Sequence, residues 1–426
     1  MSNEKMKKVL IITFYFPPKM GVASLRFQGL AKYLPEFGWE AVILTPALPG
    51  KPDQRFRALQ TDYPENVIWW LKRKLGLDKN KRIQEQLGIP VTIRERKKSF
   101  SNKLERFFRA IILYPNKRMG WCPHGIRAGS ELLEREKIDA IISSSPPETT
   151  HLVAKELKGS FNIPWIADFR DLWSQFHLYR YGAIRKWFER RLEIKTLSLA
   201  DALVAVSQPW ADKLEELNQG KDVFTITNGF DPEEAISSSL TREFTITYTG
   251  HIYHGKQEPG LLFKAIRGLI DDGLIDRKEI KVRFYGSTYH WLDEQIREFG
   301  LDGIARQEGM IPRQESFGKQ RKSQILLLMD WEEGWYPAKV FEYLAARRPI
   351  LATGGGEGVI KDLMEQTGAG IHAADKEAVK DALLTFYNEY KTNGKVSYKG
   401  KEEEINKYSQ REMARKYSEV LDSVTT

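Results

Sequence analysis

The stretch "KVLIITFYFPPKMGVASLRFQGLAKYLPEFGWEAVILTP", residues 8–46, decides how the rest of the chain is read. Residues 9–16 form a continuous apolar run, the pattern of a strand buried on both faces of a parallel sheet. Pro17, Pro18 and Gly21 break it. The next segment has helical spacing and ends at Gly38, and the sequence then returns to strand over residues 39–46. A strand, a helix and a second strand in so short a span make a βαβ unit.

The same alternation continues outward. "IDAIISS", "PWIADF", "DALVAVS" and "VFTITNG" read as strands, separated by helix-like stretches such as residues 183–199. Residues 231–241, "DPEEAISSSLT", are polar and read as a linker. Beyond them come "FTITYTG", a helix over 260–270, "IKVRFYGS", "QILLLMD", "RPILATGGG" and a helix from Val359. Residues 404–424 have helical periodicity with no strand after them. The pattern predicts an α/β fold of two doubly wound domains. Their expected limits are 1–235, with a basic insertion at about 51–118, and 236–405, followed by a C-terminal helix over 406–426 that packs back on the first domain.

Bulk properties agree. A chain of 426 residues is too long for one ordinary core. With 41% hydrophobic and 29% charged residues it is globular in composition. Its one cysteine, Cys122, excludes an internal disulfide framework and fits a reducing compartment. Residues 9–16 follow lysines as a secretory leader would, but the run is short for one and no small-residue cleavage site follows. No apolar stretch approaches the ~20 residues that span a bilayer. The expected location is cytoplasmic.

The net charge of +9 is unevenly spread. Residues 94–118 hold nine Lys or Arg against two Glu, which suggests an anionic partner surface. Within the insertion only "NVIWW" is strand-like, so helices and a function are expected there. Read as a helix, "SNKLERFFRAIILY" sets Leu104, Phe107, Phe108, Ile111 and Ile112 on one side, with Lys103, Arg106 and Arg109 flanking. Two readings stay open: a helix packed on the first domain, or an interfacial helix that meets lipid through Arg106, Phe107, Phe108 and Arg109. The second predicts peripheral association with the inner face of the cell membrane.

Open α/β sheets bind ligands at the carboxyl ends of their strands, so the loops there hold the candidate sites. No G-x-G-x-x-G follows the first strand and no P-loop occurs, which removes the main support for simple dinucleotide and ATPase readings. "GGGEG" at 354–358 either turns its amides to a phosphate or makes a tight turn. In "GWYPAKVFEYLAARRPIL", residues 334–351, Pro337 suits a first helical turn and leaves the amides of Ala338, Lys339 and Val340 free for an anion. Lys339 adds a charge, and Glu342 can accept hydrogen bonds from a ribose diol. The alternative is a surface Lys339–Glu342 pair three residues apart, contributing only ~0.2–0.5 kcal/mol.

Six ordered segments resemble family-4 glycosyltransferases of the GT-B fold. They are "FYFPPKMGVASLRFQGLAKYLPEFGWEAVILT", "SSSPPETTHLVAKEL", "PWIADFRDLW", "VAVSQPWADKLEEL" with "ITNGFD", "YTGHIYHGKQEPGLLFKAI" and "YPAKVFEYLAARRPIL". The likeness spans nearly everything outside about 50–112. It implies a retaining transferase of hexosyl type, with a nucleotide-diphosphate sugar (UDP- or GDP-sugar) as donor and no further cofactor. The family's Gly-Arg pair and following Lys fall on Gly250, His251 and Lys256, with His251 in place of Arg. The ribose-binding Glu of its E-x7-E motif falls on Glu342, while the first Glu falls on Gly334, with Glu332 and Glu333 just upstream. Tyr336, Pro337, Ala338 and Lys339 complete the implied donor loop, and Gly21 stands where the family often has Gly-Gly near the donor phosphates.

The acceptor side would draw on Arg26, Ser145 and His151, with Asp168, Arg170 and Asp171 as catalytic candidates. "DFRDLW" also reads as a charge cluster fixing a loop, with Trp173 in the core, and His151 as a structural residue. No protein nucleophile is evident, and the family is described with front-face attack. No D-x-D occurs, so no metal site is expected. The implied acceptor is a lipid-linked glycan or a surface polysaccharide. Two rivals remain at this point: a GT-B nucleotide-sugar epimerase, and a basic RNA-binding protein on an inactive transferase fold. The basic segment lacks a recognised RNA-binding signature, so no nucleic acid is expected.

Overall fold

The structure, a computed structural model, describes residues 6–18, 21–63, 114–179, 181–234 and 238–426. It divides into two units, one of residues 1–226 with 414–426, the other of residues 227–413. The division falls at 226/227, ahead of the expected limit at 235.

In the first unit the strands are β1 (Lys7–Ile12), β2 (Trp39–Pro46), β3 (Ala58–Thr61), β4 (Ala140–Ser145), β5 (Trp165–Phe169), β6 (Ala202–Ala205) and β7 (Asp222–Thr225). They form one parallel sheet in the order β3-β2-β1-β4-β5-β6-β7. Among the described residues the helices are α1 (Val22–Tyr33), α2 (Cys122–Arg135), α3 (Thr149–Phe161), α4 (Ala183–Leu197) and α5 (Gln208–Leu217). Val9, Leu10, Ile11 and Ile12 are fully buried, as a strand covered on both faces requires. β3 corrects the expectation that the span 51–118 holds strand only at "NVIWW". It is a short edge strand, half-buried for most of its length, and such a strand leaves little apolar signal. "NVIWW" and the amphipathic stretch with Arg106, Phe107, Phe108 and Arg109 lie outside the described residues.

The second unit holds β8 (Phe244–Thr249), β9 (Ile280–Tyr285), β10 (Ala305–Gly309), β11 (Ile325–Asp330), β12 (Ile350–Gly354) and β13 (Gly370–Ala373), in the order β10-β9-β8-β11-β12-β13. Every recorded pairing is parallel. Between the strands run α6 (Gly260–Asp271), α7 (His290–Glu298), α8 (Arg313–Lys322), α9 (Lys339–Ala346) and α10 (Val359–Thr367), and α11 (Lys376–Asn393) follows. Strand β11 shows why the sheet reads as continuous apolar sequence. Ile325, Leu327 and Met329 enter one core cluster with α6 and α11, while Leu326 and Leu328 enter another with α9 and α10.

The end of the chain breaks into α12 (Glu402–Asn406) and α13 (Gln410–Thr425), instead of the single helix expected over 404–424. Ser409 forms a bridge with Phe230 between them, and Gln410 donates its backbone amide to the Phe230 carbonyl at 2.7 Å. That pairing takes the chain out of helical geometry.

In both sheets the order reverses once, between β1 and β4 in the first and between β8 and β11 in the second. A reversal of this kind opens a crevice at the carboxyl ends of the two strands.

Candidate functional site

Unit 2 builds its site at the β8/β11 reversal. Beyond β8 the chain turns at Gly250, whose φ of 109° only glycine holds without strain. Gly286, just past β9, lies against it so closely that a Cβ there would stand 2.2 Å from the Gly250 carbonyl oxygen. Gly286→Ala is therefore expected to push the 250–251 turn out of place. We expect a loss of about 1–3 kcal/mol of stability, typical of overpacking, together with weakened ligand binding at this turn. Thermal unfolding and a nucleotide-sugar titration on the same variant check it.

Helix α9 starts where the sequence predicted. Pro337 stands at its entry and accepts the Val340 amide at 2.9 Å. Lys339 and Glu342 lie one turn apart, but they hold different partners. The Lys339 ammonium sits 3.9 Å from the centre of the Tyr248 ring, bonds the Tyr248 hydroxyl and lies 3.4 Å from the His251 carbonyl. A Cβ on Gly250 would come within 3.3 Å of it. Burial pushes its pKa down to about 7. Glu342 instead accepts from Arg313 at 3.1 Å and from Gln320 at 3.3 Å, and Arg313 also grips Glu234 at 2.8 Å. The surface ion pair that was the alternative reading is thus replaced by two separate interactions. Arg313, Gln320, Tyr248 and Glu234 are the neighbours that sequence reasoning missed. Nothing local to them signals the role, because the contacts exist only once α8, α9 and β8 are brought together.

His251 is exposed, shares a 2.7 Å hydrogen bond between its Nδ1 and the Tyr289 hydroxyl, and meets Tyr253 edge-on. Lys256, also exposed, stands 5.2 Å from the Trp331 ring. It lines an open cavity of about 630 Å³ with Glu258, Asp330, Trp331, Glu333 and the glycines Gly354–Gly356. The glycine run is a tight turn by necessity: a Cβ on Gly355 would fall 2.4 Å from Asp330 Oδ2, and one on Gly358 2.6 Å from the Glu333 carbonyl. The same turn brings backbone to the cavity wall opposite a lysine. Tyr336 is half-buried and packs on Phe341, Pro337 is buried, and Ala338 caps α9. Among the described residues no group of His, Cys, Asp and Glu could hold a metal ion.

Unit 1 places its candidate residues differently. Ser144 and Asp168 are register partners on β4 and β5. The Asp168 carboxylate accepts from Arg26 at 2.9 Å, from Ser144 at 2.7 Å and from the Tyr417 hydroxyl. Arg26 also donates to the Ile226 carbonyl at 2.8 Å. Both charged side chains are fully buried. This is a closed network that pins α13 to the strand ends. Arg26, expected on the acceptor side, and Asp168, a catalytic candidate, both lie within this buried network.

His151, read both as an acceptor-side and as a structural residue, is in the interior. It is buried against Phe169, shares a 2.7 Å hydrogen bond through Nδ1 with the Ser143 hydroxyl, and burial drives its pKa down to about 3, so it stays neutral. Ser145 ends β4 as a buried residue. Arg170 donates to Ser144 at 3.0 Å and to the Pro146 carbonyl, holding the loop beyond β4. Trp173 is in the core, as the cluster reading has it. Asp171 is half-buried, and burial raises its carboxyl to about 6. Gly21 opens α1 and accepts the Ser24 hydroxyl and amide.

Residues 24–234 match the model of Glycosyltransferase Family 4. Among curated proteins no sequence match is found. Solved structures resemble the chain along its whole length. Sucrose-phosphate synthase from Thermosynechococcus elongatus aligns with a TM-score of 0.65 at 13% identity, covering 98% of this chain and 99% of that one. Anabaena HepE, solved in complex with UDP and glucose, aligns with a TM-score of 0.60 at 12% identity over 98% and 100%. The lipopolysaccharide outer core galactosyltransferase WaaB aligns with a TM-score of 0.56 at 11% identity over 98% and 99%. With two doubly wound sheets and the family-4 model matched over its first half, this chain is a glycosyltransferase of the GT-B type.

Proposed function

We propose that the chain moves a hexosyl group, with retention of configuration, from a UDP- or GDP-sugar to a lipid-linked glycan or surface-polysaccharide acceptor. The acceptor would be met at the inner, anionic face of the cell membrane. The observation that carries the donor half is the Lys339 ammonium, held beneath Gly250 at the carboxyl end of β8 and one helical turn from Glu342. A diphosphate lying over the 250–251 turn would meet that charge together with the positive end of the α9 dipole; of the three amides expected to be free there, Val340's is taken by the Pro337 carbonyl. Lys256 and the glycine turn offer it a second anchor across the cavity.

In this reading Glu342 takes the ribose hydroxyls and Arg313 fixes the carboxylate that receives them. The residues do not need a nucleophile: position and positive charge against the departing diphosphate suffice for the retaining chemistry that the family likeness implies. Asp171 is the carboxyl of the "DFRDLW" triplet that remains for the acceptor side. The UDP and glucose bound by HepE, and the lipopolysaccharide named for WaaB, favour a nucleotide-sugar donor and a membrane-borne acceptor here.

Calorimetric titration with UDP- and GDP-sugars tests the donor half. Glu342→Gln is expected to weaken binding by about 1.5–3 kcal/mol, the range of a charge-assisted hydrogen bond, with the fold unchanged. The anomeric configuration of the product, read by NMR, tests retention. Nucleotide release without any glycan acceptor would favour the epimerase instead.

A further inference from the structure

Helix α4 is built inside out. Its inward face carries Arg185, Glu189, Glu193 and Thr196, all buried. Its outward face carries Ile184, Trp187, Phe188 and Ile194, exposed by 78%, 49%, 52% and 42%. Tyr181 before the helix and Leu199 after it are exposed as well. An ordinary surface helix shows the reverse arrangement.

The inward polar groups lock this orientation. Arg185 donates to Glu189 at 2.6 Å and to the Pro115 carbonyl at 2.7 Å, and Glu189 also accepts from the Tyr179 hydroxyl at 2.9 Å. Glu193 accepts both the amide and the hydroxyl of Ser174. Rolling the helix to hide its aromatic side would carry the Arg185–Glu189 pair out of the interior, and would strip Glu189, Arg185 and Glu193 of Tyr179, Pro115 and Ser174.

Charge is sorted in the same way. Both carboxylates of α4 point inward, while Lys186, Arg190, Arg191 and Lys195 are exposed. Arg191 lies 3.8 Å over the Trp187 ring, its charge carried on an aromatic face. We infer that α4 is the face by which the chain docks on an anionic lipid surface, setting Trp187 and Phe188 at headgroup depth among its four cations.

The charge pattern favours this occupant over a second copy of the chain. A two-fold contact through α4 would set the same four cations against themselves. Aromatic and aliphatic groups interleaved with long cations, and free of carboxylates, match the apolar boundary and negative potential of a membrane. The inference rests on the membrane half of the proposed function and gives it a location within the described residues.

The test uses the full-length chain in co-sedimentation with phosphatidylglycerol-containing vesicles, against pure phosphatidylcholine vesicles. Wild-type protein should bind the first and not the second, and high salt should weaken it. Trp187→Glu with Phe188→Glu, and separately Arg190→Glu with Arg191→Glu, should each lower partitioning roughly tenfold or more. Nucleotide-sugar affinity and melting temperature should stay at wild-type values. A polarity-sensitive label on Ile184→Cys, in a Cys122→Ser background, should shift to the blue only when anionic vesicles are added.

Vesicle binding unchanged in both α4 variants overturns the docking face while leaving membrane association standing. A wild-type chain that ignores anionic vesicles overturns both. A label already shielded without vesicles, or a dimer that the variants dissolve, assigns the apolar side of α4 to protein and overturns the inference as well.

Discussion

Replacing Asp168 by alanine is expected to cost the first unit about 3–5 kcal/mol, the penalty for leaving one half of a buried ion pair behind. Arg26 and Asp168 are both fully buried, 2.9 Å apart, and the carboxylate also anchors Ser144 and Tyr417. Removing it leaves a guanidinium and two hydroxyls facing an apolar hole. The measurement is denaturant unfolding followed by circular dichroism, and the control is Arg26→Met combined with Asp168→Leu. Replacing the pair together removes both charges at once, so the double variant should recover most of the loss. A catalytic aspartate would behave otherwise: Asp168→Ala would abolish turnover at wild-type stability, and the second substitution would restore nothing.

The other large effect is on donor binding. Lys339→Met should weaken a nucleotide-sugar by about 1.5–3 kcal/mol, because a charge-assisted contact to the diphosphate is lost while the side chain's volume is kept. Burial lowers the Lys339 pKa to about 7, and this adds a pH signature. A bound diphosphate raises that pKa again, so binding takes up a proton wherever free Lys339 is neutral. Affinity should be flat below about pH 7 and fall by up to about tenfold per pH unit above it. A UDP-sugar is the right probe, because its diphosphate is a diester and does not itself titrate in this range. The Lys339→Met variant should show no such slope.

The sign for stability is opposite. A lysine whose folded pKa is depressed destabilises the fold fully below about pH 7, and the penalty is relieved as pH rises toward the ordinary lysine value. Unfolding measured without ligand should therefore strengthen over that interval in the native chain and not in the variant.

Much of the architecture was legible because parallel strands covered on both faces need apolar side chains at every position. "KVLIITF" and "QILLLMD" can hardly be read otherwise, and the turns of Gly38 and Gly250 mark where helix and strand end. Three of the four edge strands escaped. β3, β10 and β13 are short and each pairs on one side only, so "ALQT", "ARQEG" and "GIHA" carry no run to detect.

The residues proposed for the donor form a local pattern, since Lys339, Glu342 and Pro337 belong to one helix start. Their partners do not: Tyr248 is 91 residues from Lys339 and Arg313 is 29 from Glu342. In the first unit the partners were hidden in the same way. Asp168 and Arg26 sit at strand and helix ends, where sites are expected, and nothing near them announces their contact with Tyr417, 391 residues beyond Arg26.

The bridge between Phe230 and Ser409 has a consequence for inheritance. The backbone passes into unit 2 once, at 226/227, and returns once, at 413/414. Phe230 donates its amide to Tyr408 at 3.1 Å and accepts from Gln410 at 2.7 Å, so departure and return run side by side. Unit 2 is thus a contiguous insert whose two ends are already clasped, and lengthening its interior costs the chain that carries it little entropy. Whatever ligand that insert holds, a single crossover on either side of the clasp is enough to graft a different one onto the same first unit.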